Sequence, residues 1–190
     1  MKKIWLFVAV AGLSLTSNQS LSAQEKEAGR HFYVEFGGPG LIMSANFDSR
    51  FIPGERLGFG FRMGGGFAVR GKGGLITVEE NSDGSVSNVP NVNVARTYYS
   101  FPVGVNYILG KPGDNSCFEV GAVAMLYTAK VHPYNYYGTE PASHMNVCLT
   151  FMYRVAPVDG GASFRIGFTP IIGASGNLYP TGAIGFGYLF

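Results

Sequence analysis

The carboxy-terminal segment alternates between large apolar residues and small ones, and this alternation limits the possible folds more than any other pattern. Phe190, Tyr188, Phe186 and Ile184 fall on one face of an extended chain, and the residues between them are mostly glycine. Successive side chains of a β-strand point to opposite faces. The segment therefore predicts a strand with one apolar face and one face that carries little side-chain volume.

The same alternation recurs along the chain in eight candidate strands. They are 30–38, 41–49, 56–69, 95–109, 117–129, 144–156, 162–172 and 181–190. Most have aromatic and aliphatic residues on one face and glycine or polar residues on the other. The strand 41–49 is less regular, and the strand 117–129 is apolar on both faces between Val120 and Leu126. The pattern predicts an all-β fold.

The charged residues of these strands fall on the face opposite the aromatic residues. They are Glu35, Asp48, Arg56, Arg62, Glu119, Arg154 and Arg165. An arginine on the lipid-facing side near the bilayer midplane costs about 2–4 kcal/mol, so in a membrane barrel the charges face the lumen. A water-soluble barrel of the lipocalin type has the reverse polarity, and here it would leave many aromatic residues in water. The sequence predicts an eight-stranded antiparallel transmembrane β-barrel.

Residues 1–23 have the layout of a secretory signal peptide, with a cationic start, an apolar run over 4–15 and small residues before the expected cleavage after Ala23. The apolar run is shorter than the roughly 20 residues of a membrane helix. Lys2 and Lys3 account for the net charge of +2. The barrel, 24–190, is then nearly neutral, and no nucleic-acid partner is expected.

The links between the predicted strands differ in length. The short ones, rich in turn residues, are 49–55, 110–116 and 157–161, and the long polar ones are 70–94 and 130–143. Short turns of outer-membrane barrels lie in the periplasm and long loops lie outside. Gly38-Pro39-Gly40 would be an unusually short outer link.

Five charged residues are expected to form a cluster in the lumen. They are Glu35, Arg62, Glu119, Arg154 and Arg165. The interior of an eight-stranded barrel is just wide enough for its side chains to fill. Two interpretations stay open, namely a structural plug of ion pairs and a gated ion path.

A direct cross-strand pair of Glu119 and Arg154 would fix the register of their hairpin. Cys117 would then lie opposite Ala156, and Cys148 opposite Met125, which separates the two cysteines by roughly 26 Å along the strands. A disulfide needs Cα atoms within about 7 Å. We therefore expect two free thiols in the lumen.

No catalytic residues, metal site or cofactor are expected. Ser143, His144 and Glu140 form the one cluster of serine, histidine and carboxylate, but adjacent residues of a strand point to opposite faces. The three histidines lack the spacing of paired metal ligands.

The tyrosines fall into two groups. Three lie in the second long link and are candidates for recognition or for contact with the membrane interface, namely Tyr134, Tyr136 and Tyr137. The others are predicted to form an interfacial girdle, namely Tyr98, Tyr99, Tyr107, Tyr127, Tyr153 and Tyr188.

The chain resembles the small eight-stranded outer-membrane barrels, the type shared by the OmpA membrane domain and OmpX. The resemblance rests on the leader, on the strand alternation and on Gly185, Tyr188 and Phe190, which match the carboxy-terminal assembly signal of such barrels, although Ala183 replaces the usual polar residue. The Phe-Gly-Gly-Pro-Gly segment that ends at Gly40 also looks like that of uncharacterised barrels from Bacteroidetes-type bacteria.

This resemblance implies a location in the outer membrane of a Gram-negative bacterium. The implied partners are outer-membrane lipid, lipopolysaccharide and, during biogenesis, the barrel-assembly machinery. The expected function is structural, or a surface interaction through extracellular loops, without catalysis. Because this architecture also carries lipid A-modifying enzymes and small pores, those two alternatives stay open.

Overall fold

The computed structural model describes residues 29–69, 77–78, 97–132 and 141–190. These residues form eleven β-strands and one short 3-10 turn, Gly38–Gly40. The strands are β1 (Arg30–Gly37), β2 (Met43–Arg50), β3 (Gly58–Val69), β4 (Thr77–Val78), β5 (Thr97–Gly110), β6 (Ser116–His132), β7 (Ser143–Val155), β8 (Gly161–Phe168), β9 (Ile171–Ile172), β10 (Leu178–Tyr179) and β11 (Gly182–Leu189). In the described part of the chain, no helix has the length and apolar character needed to cross a membrane.

Eight of these strands close into an antiparallel barrel in the order β1-β2-β3-β5-β6-β7-β8-β11. Closure occurs where β11 pairs with β1, with Tyr188 opposite Phe32. The predicted all-β fold, its eight barrel strands and their antiparallel order are confirmed. The predicted signal peptide, 1–23, lies outside the described residues.

The two ends of the barrel differ in their connections. We call the end where β1 begins and β11 finishes the terminal end; it also carries the short turns around 51–57, 111–115 and 156–160. The opposite end, called the loop end, carries the connection at Gly38–Gly40, the two long links and the turn at 173–177. The three links predicted to be short do lie at one end and the two long links at the other, but the loop end also carries two short connections.

Alternation along the barrel strands separates an apolar exterior from a mostly polar interior. In β1, the side chain of Phe32 is 51% exposed, whereas that of Glu35 is fully buried. The exterior of the described strands carries charge only near strand ends, at Arg30 and Lys130. The predicted faces of the strands are therefore confirmed.

Two prolines at facing positions interrupt the pairing between the last two strands of the barrel. Strands β8 and β9 both pair with β7, and the register is the same for the two. Likewise, β11 pairs with β8 and β10 pairs with β9 in a single register. Pro170 and Pro180 face each other between these segments, and neither has an N–H to give to the ladder. The Thr169 N–H still donates to the Thr181 carbonyl at 2.7 Å, so the strands continue toward the loop end.

The Gly38–Gly40 turn folds into the barrel. All three of its residues are buried, and the Ser100 hydroxyl donates to the Gly40 carbonyl at 3.2 Å. Leu41 follows with φ 71° and ψ −89°, a conformation that L-residues other than glycine rarely adopt. Its side chain is buried against tyrosine and methionine side chains of the lumen. This inward turn explains why the first outer link is so short.

Candidate functional site: the charged lumen

The lumen has three layers along the barrel axis. A cluster of ionic and polar side chains occupies the middle, apolar side chains occupy the loop end, and a smaller apolar group at the terminal end lies beside the guanidinium groups of Arg50 and Arg56. The layer at the terminal end consists of Leu57, Ile108, Cys117, Ala156 and Leu189. The layer at the loop end consists of Leu41, Ala68, Tyr98, Val123, Met125, Tyr127, Ala129, Val131, Cys148, Ile171 and Tyr179.

The middle layer contains one chain of seven charged side chains in which cations and anions alternate. In order they are Arg62, Glu35, Arg165, Glu119, Arg154, Asp48 and Arg50. All seven are buried. The chain connects strands β1, β2, β3, β6, β7 and β8, so it ties most of the barrel wall together from the inside. The five residues predicted as a lumen cluster are all members of it.

Each carboxylate in this chain lies between two guanidinium groups. Glu35 accepts from Arg62 Nη2 at 2.9 Å, and its second oxygen lies 3.3 Å from Arg165 Nε. Glu119 accepts from Arg165 Nη2 at 3.0 Å and from Arg154 Nη1 at 2.8 Å. Charge-assisted hydrogen bonds of this kind are stronger than neutral ones. Because water is excluded, the loss of any one charge would leave its partners buried and uncompensated.

Asp48 is the third carboxylate and joins the charged chain to a polar group on β5. Its oxygens accept from Arg50 Nη2, from Arg154 Nη1 at 3.1 Å and from Asn106 Nδ2 at 2.7 Å. Asn106 in turn accepts from Arg50 at 2.7 Å. Seven of the eight barrel strands thus contribute a side chain to one network.

The remaining strand, β11, contributes glycines, which leave room for the lumen side chains of the other strands. A Cβ at Gly185 would lie 2.8 Å from Cγ of Arg165, and one at Gly187 would overlap the Tyr33 and His31 side chains. Glycine at these positions lets long lumen side chains lie against the backbone of β11. This requirement explains why one face of the carboxy-terminal strand carries little side-chain volume.

Tyr33 is fully buried in the middle layer, where it contacts the His31 ring and two guanidinium groups. The His31 ring lies 4.6 Å away with an interplanar angle of 23°, and Arg165 Cζ lies 4.3 Å from the Tyr33 ring centroid. Arg62 Cζ lies 5.5 Å from the same centroid. An aromatic face attracts cations, so Tyr33 stabilises two guanidinium groups of the charged chain.

His31 and Ser163 form the closest contact between a histidine and a serine in the described part of the chain, with Nε2 and Oγ 2.6 Å apart. Arg154 Nη2 lies 2.8 Å from the other ring nitrogen, Nδ1. Arginine can only donate, so Nδ1 accepts and the ring proton of neutral His31 is on Nε2. His31 therefore donates to Ser163. In this arrangement it cannot remove the serine proton, which is what a catalytic base must do.

The pair proposed from the sequence as a catalytic alternative is not brought together. Ser143 Oγ bonds the backbone of Met145, at 2.7 Å to its carbonyl and 3.1 Å to its N–H. His144 Nδ1 lies 3.4 Å from the Tyr127 carbonyl. Glu140 lies outside the described residues.

The predicted register of the β6–β7 hairpin is wrong by two residues. Glu119 lies opposite Met152, Cys117 opposite Arg154 and Cys148 opposite Val123. Glu119 and Arg154 still form an ion pair, because a two-residue offset keeps both on the lumen face and the long arginine side chain spans the diagonal. The register shifts again between Leu126 and Val131, which a count from the hairpin tip cannot anticipate. Both cysteines are buried and free, as expected.

Four of the six tyrosines predicted to form an interfacial girdle point outward, and their role at a membrane interface stays a prediction. Tyr99, Tyr107, Tyr153 and Tyr188 are exposed on the outer face. The prediction is wrong for two others. Tyr98 and Tyr127 point inward and belong to the apolar layer at the loop end, because each is adjacent in its strand to an outward-facing residue, Tyr99 and Leu126 respectively. The recognition candidates Tyr134, Tyr136 and Tyr137 lie outside the described residues.

The residues of the predicted assembly signal occupy two faces of β11 and the residue after it. Tyr188 and Phe190 are exposed on the exterior near the terminal end, and Gly185 faces the lumen. Their use as an assembly signal stays a prediction.

Sequence reasoning missed several members of the network. No role is predicted from the sequence for His31, Tyr33 or Asn106, and the predicted cluster of five charged residues does not include Asp48. Arg50 was placed in a link after 41–49, although its two-residue spacing from Asp48 puts it on the same face once β2 is extended. The signal that could have identified it was this continued alternation.

Comparisons with protein-family models, with curated proteins and with solved structures found no match for this chain. Within the described residues, no three side chains of the types His, Cys, Asp and Glu are grouped so that they could hold a metal ion.

Proposed function

We propose that this protein is an integral outer-membrane β-barrel that neither conducts nor catalyses, and that it holds its loop-end connections at the cell surface for structural or binding roles. The observation that carries the proposal is the polarity of the barrel, with seven linked charges inside and an apolar exterior. In water, that exterior would expose an apolar surface far larger than soluble monomers carry. In a bilayer it is the face that lipid requires.

The layered lumen supports a closed barrel over the pore alternative. An ion would have to pass the apolar layer at the loop end and separate the buried ion pairs of the middle layer. The loop end is further filled by the Gly38–Gly40 turn and the Leu41 side chain. Eight-stranded barrels are narrow enough for such filling to be complete.

The protonation of His31 supports a role without catalysis. Its Nε2–H donates to Ser163, and both side chains are buried. Ser143 and His144 each bond backbone instead of each other. The role at the surface rests on the long polar links, 70–96 and 133–142, which are the parts with the length to reach beyond the membrane.

A heat-modifiability gel on washed outer membranes tests the location. The sample is run in SDS with and without boiling. A membrane barrel that stays folded in SDS shifts its mobility on boiling, and we expect this shift in the outer-membrane fraction. A single unshifted band in the soluble periplasmic fraction would contradict the proposal.

Planar-bilayer recordings test the closed lumen. We expect no steady conductance from the purified chain, and none from Glu55→Gln, a variant in an exposed turn. A steady current that changes in Arg154→Ala would favour the pore.

For the enzyme alternative, replacement of Ser143 and His144 by alanine should leave the lipid A of the host unchanged, and an altered acylation pattern would contradict the proposal.

A further inference from the structure

A small cavity lies in the lumen at the terminal end, bordered by the starts and ends of the strands there. Its volume is about 10 Å³, about what one water-sized guest requires. The side chains around it include Asp48, Arg50, Arg56, Arg154 and Cys117. Three guanidinium groups therefore face this cavity against one carboxylate.

The described lumen as a whole carries an excess of positive charge. Its buried arginines are Arg50, Arg56, Arg62, Arg154 and Arg165, and its buried carboxylates are Glu35, Asp48 and Glu119. An arginine keeps its proton at any pH that a cell reaches, so titration cannot remove the excess. A buried charge without a counter-charge carries a large desolvation penalty. Within the described lumen, two of the five positive charges therefore have no counter-charge, and a bound anion would supply one.

Arg56 is the guanidinium group at this cavity without a carboxylate partner in the described structure. Its Nη1 donates to the Ala156 carbonyl at 2.6 Å, and its Nη2 donates to the Asp114 carbonyl. Carbonyl dipoles satisfy these N–H groups but do not neutralise the charge. Asp48, the carboxylate at the cavity, already forms ion pairs with Arg50 and Arg154.

Two arginines that line this cavity each carry a buried donor with no hydrogen-bond partner among the described residues. These donors are the Nε groups of Arg56 and Arg154. A buried polar group without a partner is rare and needs an explanation. Arg56 therefore combines an uncompensated charge with a spare N–H group, and Arg154 adds a second spare N–H group.

We propose that this cavity binds one small monovalent anion, with chloride as the physiological ligand, held by Arg56 and Arg154. Water could accept from the spare N–H groups, but it would bring no charge. A tetrahedral oxyanion such as phosphate exceeds the volume of the cavity. The bound anion would be a third negative partner of Arg154 and would join Arg56 to the charged network. The proposal goes beyond the function proposed above and does not depend on where the barrel resides.

Bromide diffraction locates the site directly. Crystals of the chain grown in a non-halide salt are soaked in sodium bromide, and anomalous scattering at the bromine edge is measured. We expect a peak between Arg56 and Arg154. Peaks confined to the outer surface, or none at all, would overturn the proposal.

Unfolding in solution tests whether the anion binds at ordinary concentrations. The full chain, folded in detergent micelles, is unfolded with urea in sodium chloride and in sodium gluconate at equal ionic strength. A ligand that binds the folded state raises the urea midpoint with its concentration. We expect a higher urea midpoint in chloride, and the increase should depend on chloride concentration as it does for binding at a single site. Equal midpoints in the two salts would overturn the proposal even if bromide binds in the crystal.

A matched pair of variants assigns the effect to the cavity. Arg56→Gln removes the unpaired charge and should abolish the chloride effect or require at least tenfold more chloride for it. Arg30→Gln removes an exposed charge at the same end of the barrel and should behave like the unsubstituted chain. Equal loss in both variants would overturn the assignment. If Arg56→Gln does not fold, the comparison of salts and the bromide peak still decide.

Discussion

Glu119 is the central anion of the lumen, because it alone of the described residues joins Arg154 and Arg165, at 2.8 and 3.0 Å. Glu119→Gln keeps the shape and removes the charge, which leaves both guanidinium groups short of a counter-charge. We expect the free energy of unfolding to fall by about 3–5 kcal/mol. Urea titration of the folded barrel measures this. Glu55→Gln, in an exposed turn, should change it by less than about 0.5 kcal/mol, and equal losses would contradict the network.

Leu41 shows how one residue can combine backbone strain with packing. Its φ of 71° costs on the order of 1–3 kcal/mol, and its buried side chain offsets that cost. Leu41→Ala keeps the strain and loses the packing, whereas Leu41→Gly loses the packing but relieves the strain. We expect Leu41→Gly to unfold at a urea concentration equal to or higher than Leu41→Ala. A clearly less stable glycine variant would mean that the turn is not strained.

At the scale of the strands, the sequence predicts faces far better than register. Because side chains alternate with a period of two, Glu119 and Arg154 point inward in every hairpin register that differs from the observed one by an even number of residues. The polarity of the side chains therefore cannot distinguish these registers. The choice depends on diagonal contacts across several strands, such as Arg154 to Asp48, which only the closed barrel reveals. The shift between Leu126 and Val131 adds a second offset within the same hairpin.

The observed register still keeps the two cysteines apart. Cys148 pairs with Val123, six residues along β6 from Cys117, which corresponds to about 20 Å. A disulfide would need Cα atoms within about 7 Å. We expect two thiols to titrate after unfolding in denaturant, even when the protein was prepared under oxidising conditions. Absence of thiols, together with a gel mobility that depends on reductant, would refute the register.

At the scale of the whole molecule, the layers of the lumen explain the strand that the sequence left ambiguous. Strand β6 is apolar on both faces toward the loop end because Val123 and Met125 point into the apolar inner layer there, while Ala122 and Leu126 point outward. Toward the terminal end, the same strand contributes Glu119 to the charged layer. Alternation reports which side a residue faces, but not which layer it enters. That depends on its height in the closed barrel.

The polarity of the whole barrel leads to a test of the membrane proposal on folded protein. Val103 lies near the middle of β5, points outward and is 48% exposed. If lipid covers this face, Val103→Arg in lipid vesicles should lower the free energy of unfolding by about 2–4 kcal/mol. Ala174→Arg, in the exposed turn at the loop end, should change it by less than about 0.5 kcal/mol. If the two variants unfold alike, water and not lipid covers the exterior, and the buried charges would then belong to a soluble barrel.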